Sequence, residues 1–347
     1  MATSREVARR ARELRELMRR LPAGSVVRID LIRGGAPGID MQAKSVIANV
    51  IRSQTGGMQT MVSAGTNRIA ADRWAQFFRL ESNGTMGKKA WEVSARFGGW
   101  AEDDGDDGPH VRTGPTGNLI SRSQIVSRTP NLNGSLTAAY QQPLMGGTFR
   151  INGRVFNEKK KTQEDDIFSF PAASLTETDG LATSRDYELG GRYSRPIAEA
   201  TTLELVGIRQ TSDKTSDFLT RAPTSTDRFT LGRKTEETIG QAVIKRDLGR
   251  GMSAEVGVEG ALNRLESQTR LVHNLAPVTL PAANVVVEET RTEAFAKASW
   301  RPSDRLSLDG GLRFETSDLS SSGRFASAML NQALATSWNV TVPRQWV

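Results

Sequence analysis

The chain has 347 residues, 37% of them hydrophobic, with 32 glycines, no cysteine and a formal net charge of +7. Without cysteine there is no disulfide framework and no thiolate metal site, and no apolar run approaches the ~18 residues that a spanning helix needs. If the chain meets a membrane core it does so as strands, and a barrel with a wet or plugged lumen needs only one apolar face per strand.

Residues 5–21 are read first, as one amphipathic helix. Val7, Ala11, Leu14, Met18 and Leu21 recur at spacings of three and four, and Pro22-Ala23-Gly24 ends the run. Seven Arg oppose three Glu in the first 21 residues, and Glu13 and Glu16 sit among Arg12, Arg15, Arg19 and Arg20 as helical charge pairs. The helix is expected to pack on the strand that follows it. The remaining charge alternates in sign along the chain, so no nucleic-acid partner is expected. No apolar core of signal-peptide type follows the early positive charges.

Two short apolar strands come next, Val26 to Ile32 and Ser45 to Ile51. Between them Gly34, Gly35, Pro37 and Gly38 interrupt regular structure, because Gly permits positive φ and Pro fixes φ and removes a donor.

These residues carry a resemblance. Arg28-Ile29-Asp30-Leu31-Ile32-Arg33-Gly34 resembles the E-R-I-E-V-x-R-G segment of the plug domain in TonB-dependent outer-membrane receptors. Ile47-Ala48-Asn49-Val50-Ile51 is similar to the G-V-I-N-I-I strand that closes that plug before the barrel. Arg28, Ile29, Asp30, Arg33, Gly34, Gly35, Gly38, Asn49 and Ile51 are the plug-motif candidates. The sequence departs from the family pattern in three places: Val27 stands where Glu is usual, Gly35 where Pro is usual, and the L-Y-G between the two pieces is absent.

From about residue 57 the period becomes two. Trp91, Val93, Ala95 and Phe97 alternate with Glu92, Ser94 and Arg96, and Phe149, Ile151, Gly153 and Val155 alternate with Arg150, Asn152 and Arg154. Similar stretches lie at 187–193, 252–262 and 305–315. Successive side chains on a strand point to opposite faces, so each stretch presents one apolar and one polar face. Short turns fall at Ser82 to Lys88, Pro143 to Gly147, Arg195 to Ala200, Asp247 to Gly251 and Pro302 to Asp304. Long polar segments, read as loops, fall between them: Ala101 to about Gly134, Asp165 to Ser184, Ser212 to Arg228 and Leu271 to Val287. Short turns alternating with long connections are the pattern of an outer-membrane barrel. The residues 118–127 are expected to add a hairpin inside the first long segment, and Trp74, Phe77, Phe78, Trp91, Phe97, Trp100, Trp300 and Phe314 are candidates for interfacial girdles.

Catalytic chemistry finds little support. His110 and His273 are the only histidines, and no nucleophile elbow, P-loop or dinucleotide fingerprint occurs. The run Glu102-Asp103-Asp104-Gly105-Asp106-Asp107 holds five carboxylates but lacks the spacing of a calcium loop, so it is read as a solvated acidic loop. The chain is read as neither an enzyme nor a metalloprotein.

The fold expected is therefore mainly β. A small plug remnant with one helix occupies 1–56, a partial antiparallel transmembrane barrel of about eleven strands occupies 57–317, and an irregular or non-family tail occupies 318–347. Barrels of plugged transporters close at 22 strands. The resemblance implies an outer-membrane location in an intact parent, contact with outer-membrane lipid, active uptake of a bulky ligand such as a ferric siderophore, and TonB as the energising partner. The segment that touches TonB in this family is not matched here, so the chain alone is expected not to transport. A passive barrel or adhesin-like surface protein and a soluble β-sandwich binding module are the competing readings.

Overall fold

The computed structural model describes residues 26–33, 46–52, 57–69, 73–101, 107–281, 283–303, 306–323 and 329–341. The helix expected over 5–21 lies outside these residues, as do Gly34, Gly35, Gly38 and the acidic run up to Asp106.

All described regular structure is β. β1 (Val26–Arg33) and β2 (Val46–Arg52) pair antiparallel as a separate two-stranded sheet. The second sheet holds fifteen strands. Its continuous path begins with β3 (Gly57–Ile69), β4 (Arg73–Met86) and β5 (Lys89–Ala101). β6 (Gly108–Thr113) and β7 (Leu119–Arg128) form a side hairpin, and the path resumes with β8 (Pro130–Leu144), β9 (Gly147–Phe170) and β10 (Ser174–Ala198). It continues through β11 (Thr201–Ala222), β12 (Ser225–Gly249) and β13 (Met252–His273). β14 (Ala276–Val278) pairs back on β13, and β15 (Asn284–Ser303), β16 (Leu306–Gly323) and β17 (Met329–Thr341) complete it. Every pairing is antiparallel, and among the described residues β3 and β17 are each paired on one side only. The sheet is an open meander, the architecture of a partial barrel.

The turns explain the meander. Met145 and Gly146 (φ 47° and 77°), and Arg250 and Gly251 (54° and 73°) after Gly249 (74°), place successive residues at positive φ. Such two-residue loops match the right-handed twist of the strands they join and set the register of the hairpin. All five short turns expected from the sequence lie between consecutive strands of the path.

Three expectations need correction. Residues 165–184 and 212–228 are not loops: β9 runs to Phe170, β10 starts at Ser174, and only Pro223 and Thr224 separate β11 from β12. The same holds for most of 271–287, where β13, β14 and β15 leave a short irregular link. These hairpins project far along the strand axis; at ~3.3 Å per residue, a 25-residue strand such as β10 is about 80 Å long. The tail 318–347 is also partly strand, since β16 reaches Gly323 and β17 follows, giving twelve strands along the path instead of eleven. The extra hairpin within 101–134 is β6–β7, wider than the 118–127 expected.

No hydrophobic core of the ordinary kind is present among the described residues. The buried hydrophobic side chains there are Ala75, Ile125, Val243 and Ala261, while many large apolar side chains are exposed.

Candidate membrane-facing surface

Register sorts the side chains into two continuous faces. On one, Val62 pairs with Leu80, Leu80 with Ala95, Ala95 with Leu136, Leu136 with Val155 and Val155 with Tyr187. On the other half of the sheet the same face carries Leu203, Ile244, Val256, Ala296 and Leu312 in one row across five strands. The neighbouring row is Leu205, Ala242, Val258, Ala294 and Phe314. Charged residues make up 24% of the chain, yet on this face they stand toward the margins of the band, as at Arg68 opposite Trp74, Arg195 opposite Leu203, Arg246 opposite Ala254 and Arg209 opposite Thr238. On β13 the band runs from Met252 to Leu262. Roughly ten residues at ~3.3 Å each, tilted ~40°, cover about 25 Å, the height of a lipid-facing band.

The other face carries the charge. Arg192 Nη2 donates to Glu204 Oε2 at 2.7 Å, Lys245 lies 3.5 Å from the same carboxylate, and Arg313 is 2.6 Å from Glu293. Arg291 is 3.3 Å from Glu259, whose second oxygen accepts from Gln241 at 2.9 Å. Burial runs opposite to that of a soluble protein. Glu204 and Glu293 are 9% and 7% exposed, whereas Leu189 and Leu262 on the apolar face are both 56% exposed. Carboxylates are almost never buried without partners, and here cross-strand cations supply them.

The apolar band has a sharp border on the side of the long hairpins. Immediately beyond it the same face bears Arg185, Arg209, Glu236, Arg264, Glu288 and Asp318. Arg209 binds Glu236 at 2.6 Å and Arg264 binds Glu288 at 2.6 Å. Farther out, Arg228 grips Asp217 at 2.6 Å, and this hydrogen bond holds the Asp217 carboxyl below the usual carboxylate range. The hairpins are thus built of strands with two polar faces, laced by ion pairs and by hydroxyl pairs such as Thr178 with Thr220 and Thr183 with Thr215.

Of the girdle candidates, Trp74, Phe78, Trp91, Phe97, Trp300 and Phe314 lie on the apolar face, while register puts Phe77 on the polar one. The side chain of Trp100 lies outside the described residues. Tyr140, Tyr187 and Tyr193, not among the girdle candidates, also lie on the apolar face; their strict period-two spacing with Leu189 and Leu136 was the available signal.

The plug-motif candidates meet only in part. β1 and β2 set Asp30 opposite Asn49 and Arg28 opposite Ile51, with Arg33 opposite Val46, and Arg28 and Ile29 are exposed. Gly34, Gly35 and Gly38 lie outside the described residues. His110 and His273 are far apart in sequence; His273 Nδ1 is 2.6 Å from Asp227 at a hairpin tip. No group of three or more candidate metal ligands occurs among the described residues.

No family model matches the chain, and no curated protein matches it. Among solved structures it is similar to the ferric yersiniabactin uptake receptor FyuA from Yersinia pestis, at 11% identity and a TM-score of 0.32, over 91% of this chain and 67% of that one. A TM-score of that size is no evidence of a shared function.

Proposed function

We propose that the chain forms part of the wall of an outer-membrane receptor of the TonB-dependent type, with β1 and β2 belonging to its plug. One observation carries the membrane reading: an apolar band, aligned by register and charged at its margins alone, occupies the more exposed face of the strands while paired charges occupy the other. A soluble sandwich would bury that band against a second sheet, and among the described residues no second layer covers it. The receptor reading adds the plug-like motifs at 28–34 and 47–51, whose strands pair with Asp30 opposite Asn49.

In this reading lipid meets the band, water and ligand meet the charged face, and the long hairpins stand outside the cell as a collar for a bulky ligand such as a ferric siderophore. Binding energy alone cannot pump solute, so passage depends on TonB acting on the plug of the whole receptor. Edge strands in hydrocarbon would leave N–H and C=O groups unpaired at several kcal/mol per group, so β3 and β17 are expected to need partner strands to close the wall. The test is to direct the chain to the envelope with an added signal peptide and treat intact cells with protease. Cleavage at the 223–224 tip with protection of the 145–146 turn is expected; the reverse pattern, or recovery of the chain as a soluble periplasmic protein, defeats the reading. Energy-dependent uptake of ferric siderophore that vanishes without TonB, measured on a closed receptor containing this wall, checks the receptor part separately.

A further inference from the structure

A depression of about 410 Å³ opens on the apolar face near its border with the long hairpins. It forms because Ala138 and Gly153 are small where their neighbours Leu136, Val155, Tyr187 and Leu189 are large. Its lining is almost wholly apolar, so water gains little by filling it.

Directly beyond it, on the same face, stand three cations. Arg185 is two residues past Tyr187 and pairs in register with Asn157; Lys159 lies opposite Thr183 and Lys161 opposite Leu181. None of the three has an ion-pair partner among the described residues. Asp213 is the register partner of Arg185 but makes no bond to it. The rest of the border is neutralised: Arg209 donates to Thr238 and Glu236, both at 2.6 Å, and Arg264 pairs with Glu288. Positive charge without an ion-pair partner is therefore concentrated on β9 and β10, above the depression, with the Asp213 carboxylate beside Arg185. Long Lys and Arg side chains reach toward an interface while their stems stay on apolar surface.

We propose that this is a binding site for a phosphorylated lipid of the surrounding leaflet, with an acyl chain in the depression over Gly153 and the phosphate held by Lys159, Lys161 and Arg185. The proposal rests on the membrane setting argued above. Apolar lining and free cations on adjoining parts of one face match an amphiphile with one anionic end. A free phosphate would use the cations and leave the depression empty.

The chain has no cysteine, so single substitutions can carry a fluorophore. A138C and V258C, each labelled with bimane, are placed in phosphatidylcholine vesicles to which dibrominated phosphatidylcholine or dibrominated phosphatidic acid is added as quencher. At A138C the brominated phosphatidic acid is expected to reach half-quenching at a mole fraction at least about fivefold lower than the brominated phosphatidylcholine, the ratio that a single cation near a membrane surface gives. At V258C, distant from the cations, the two lipids should quench alike. The combined K159Q/K161Q/R185Q variant should bring A138C to parity while V258C quenching stays unchanged, which shows that the variant still sits in the bilayer. Parity at A138C in the parent chain, a preference that survives the triple substitution, or its removal by millimolar inorganic phosphate each overturns the lipid site and leaves the membrane reading standing. Absence of quenching at both positions overturns the membrane reading itself.

Discussion

The two ends of β13 make an instructive pair. On the outward face its residues from Met252 to Leu262 are Met, Ala, Val, Val, Gly and Leu; from Arg264 to Arg270 they are Arg, Glu, Gln and Arg. The backbone ladder to β12 keeps one register from Ser253 to His273, across the change of side-chain character. Hydrogen bonding is thus indifferent to the change, and on the membrane reading proposed above it is the solvent that the side chains meet that differs. A strand in lipid needs one apolar face, whereas a strand in water can be polar on both. On that reading the boundary between the two solvents is written in side-chain charge and leaves no mark on the secondary structure.

The largest expected effect sharpens this contrast. Val258→Arg places a charge near the middle of the band and should destabilise by ~2 to 4 kcal/mol in a bilayer. Gln268→Arg, ten residues farther on the same face of the same strand, should lie within about 0.5 kcal/mol of the parent. Equal effects in denaturant titrations of the vesicle-bound chain would erase the distinction between the two ends.

A second pair compares a turn with the band. Gly251 has φ +73°, and a Cβ there would meet the carbonyl oxygen of Arg301 at 2.5 Å. Gly240 has an extended backbone within the band, with nothing within 4 Å of a Cβ. Gly251→Ala should therefore cost about 1 to 3 kcal/mol, and Gly240→Ala under about 1 kcal/mol, both read from the refolding yield and midpoint of the chain.

The smallest effect belongs to the hairpins. The Asp217 carboxyl is held below its ordinary range by the hydrogen bond from Arg228. Its contribution is therefore present above the unfolded pKa of ~3.9 and is lost as pH falls through the lower folded value. Both side chains are largely exposed, so Asp217→Asn should cost under about 1 kcal/mol at neutral pH. The effect should shrink in high salt and disappear in strong acid, as followed by protease sensitivity of the 223–224 tip.

Much of the wall could be read from the sequence, because Trp91, Val93, Ala95 and Phe97 or Met252 through Leu262 alternate without interruption. All five short turns were legible for the same reason, being the points where alternation stops at Gly, Pro or Asp. The hairpins were not. In 165–184 and 212–228 neither face is apolar, so the period-two hydrophobic signal vanishes although the ladder continues; the frequent threonines, including Thr178, Thr183, Thr215 and Thr220, were the only local hint of strand. The cations above the depression were hidden for a further reason. Lys159, Lys161 and Arg185 become neighbours only through the register of β9 with β10, which no single stretch of sequence contains.

The most direct test of the account is a nitroxide scan of β13 from Met252 to Arg270, comparing collision with oxygen and with a water-soluble nickel complex in vesicles. The account expects strict alternation from Met252 to Leu262, with even-numbered positions open to oxygen and shielded from nickel. From Arg264 onward the even positions should become open to nickel while the period of two persists in mobility. Even positions that are open to nickel along the whole strand, or oxygen profiles without alternation between 252 and 262, would contradict it.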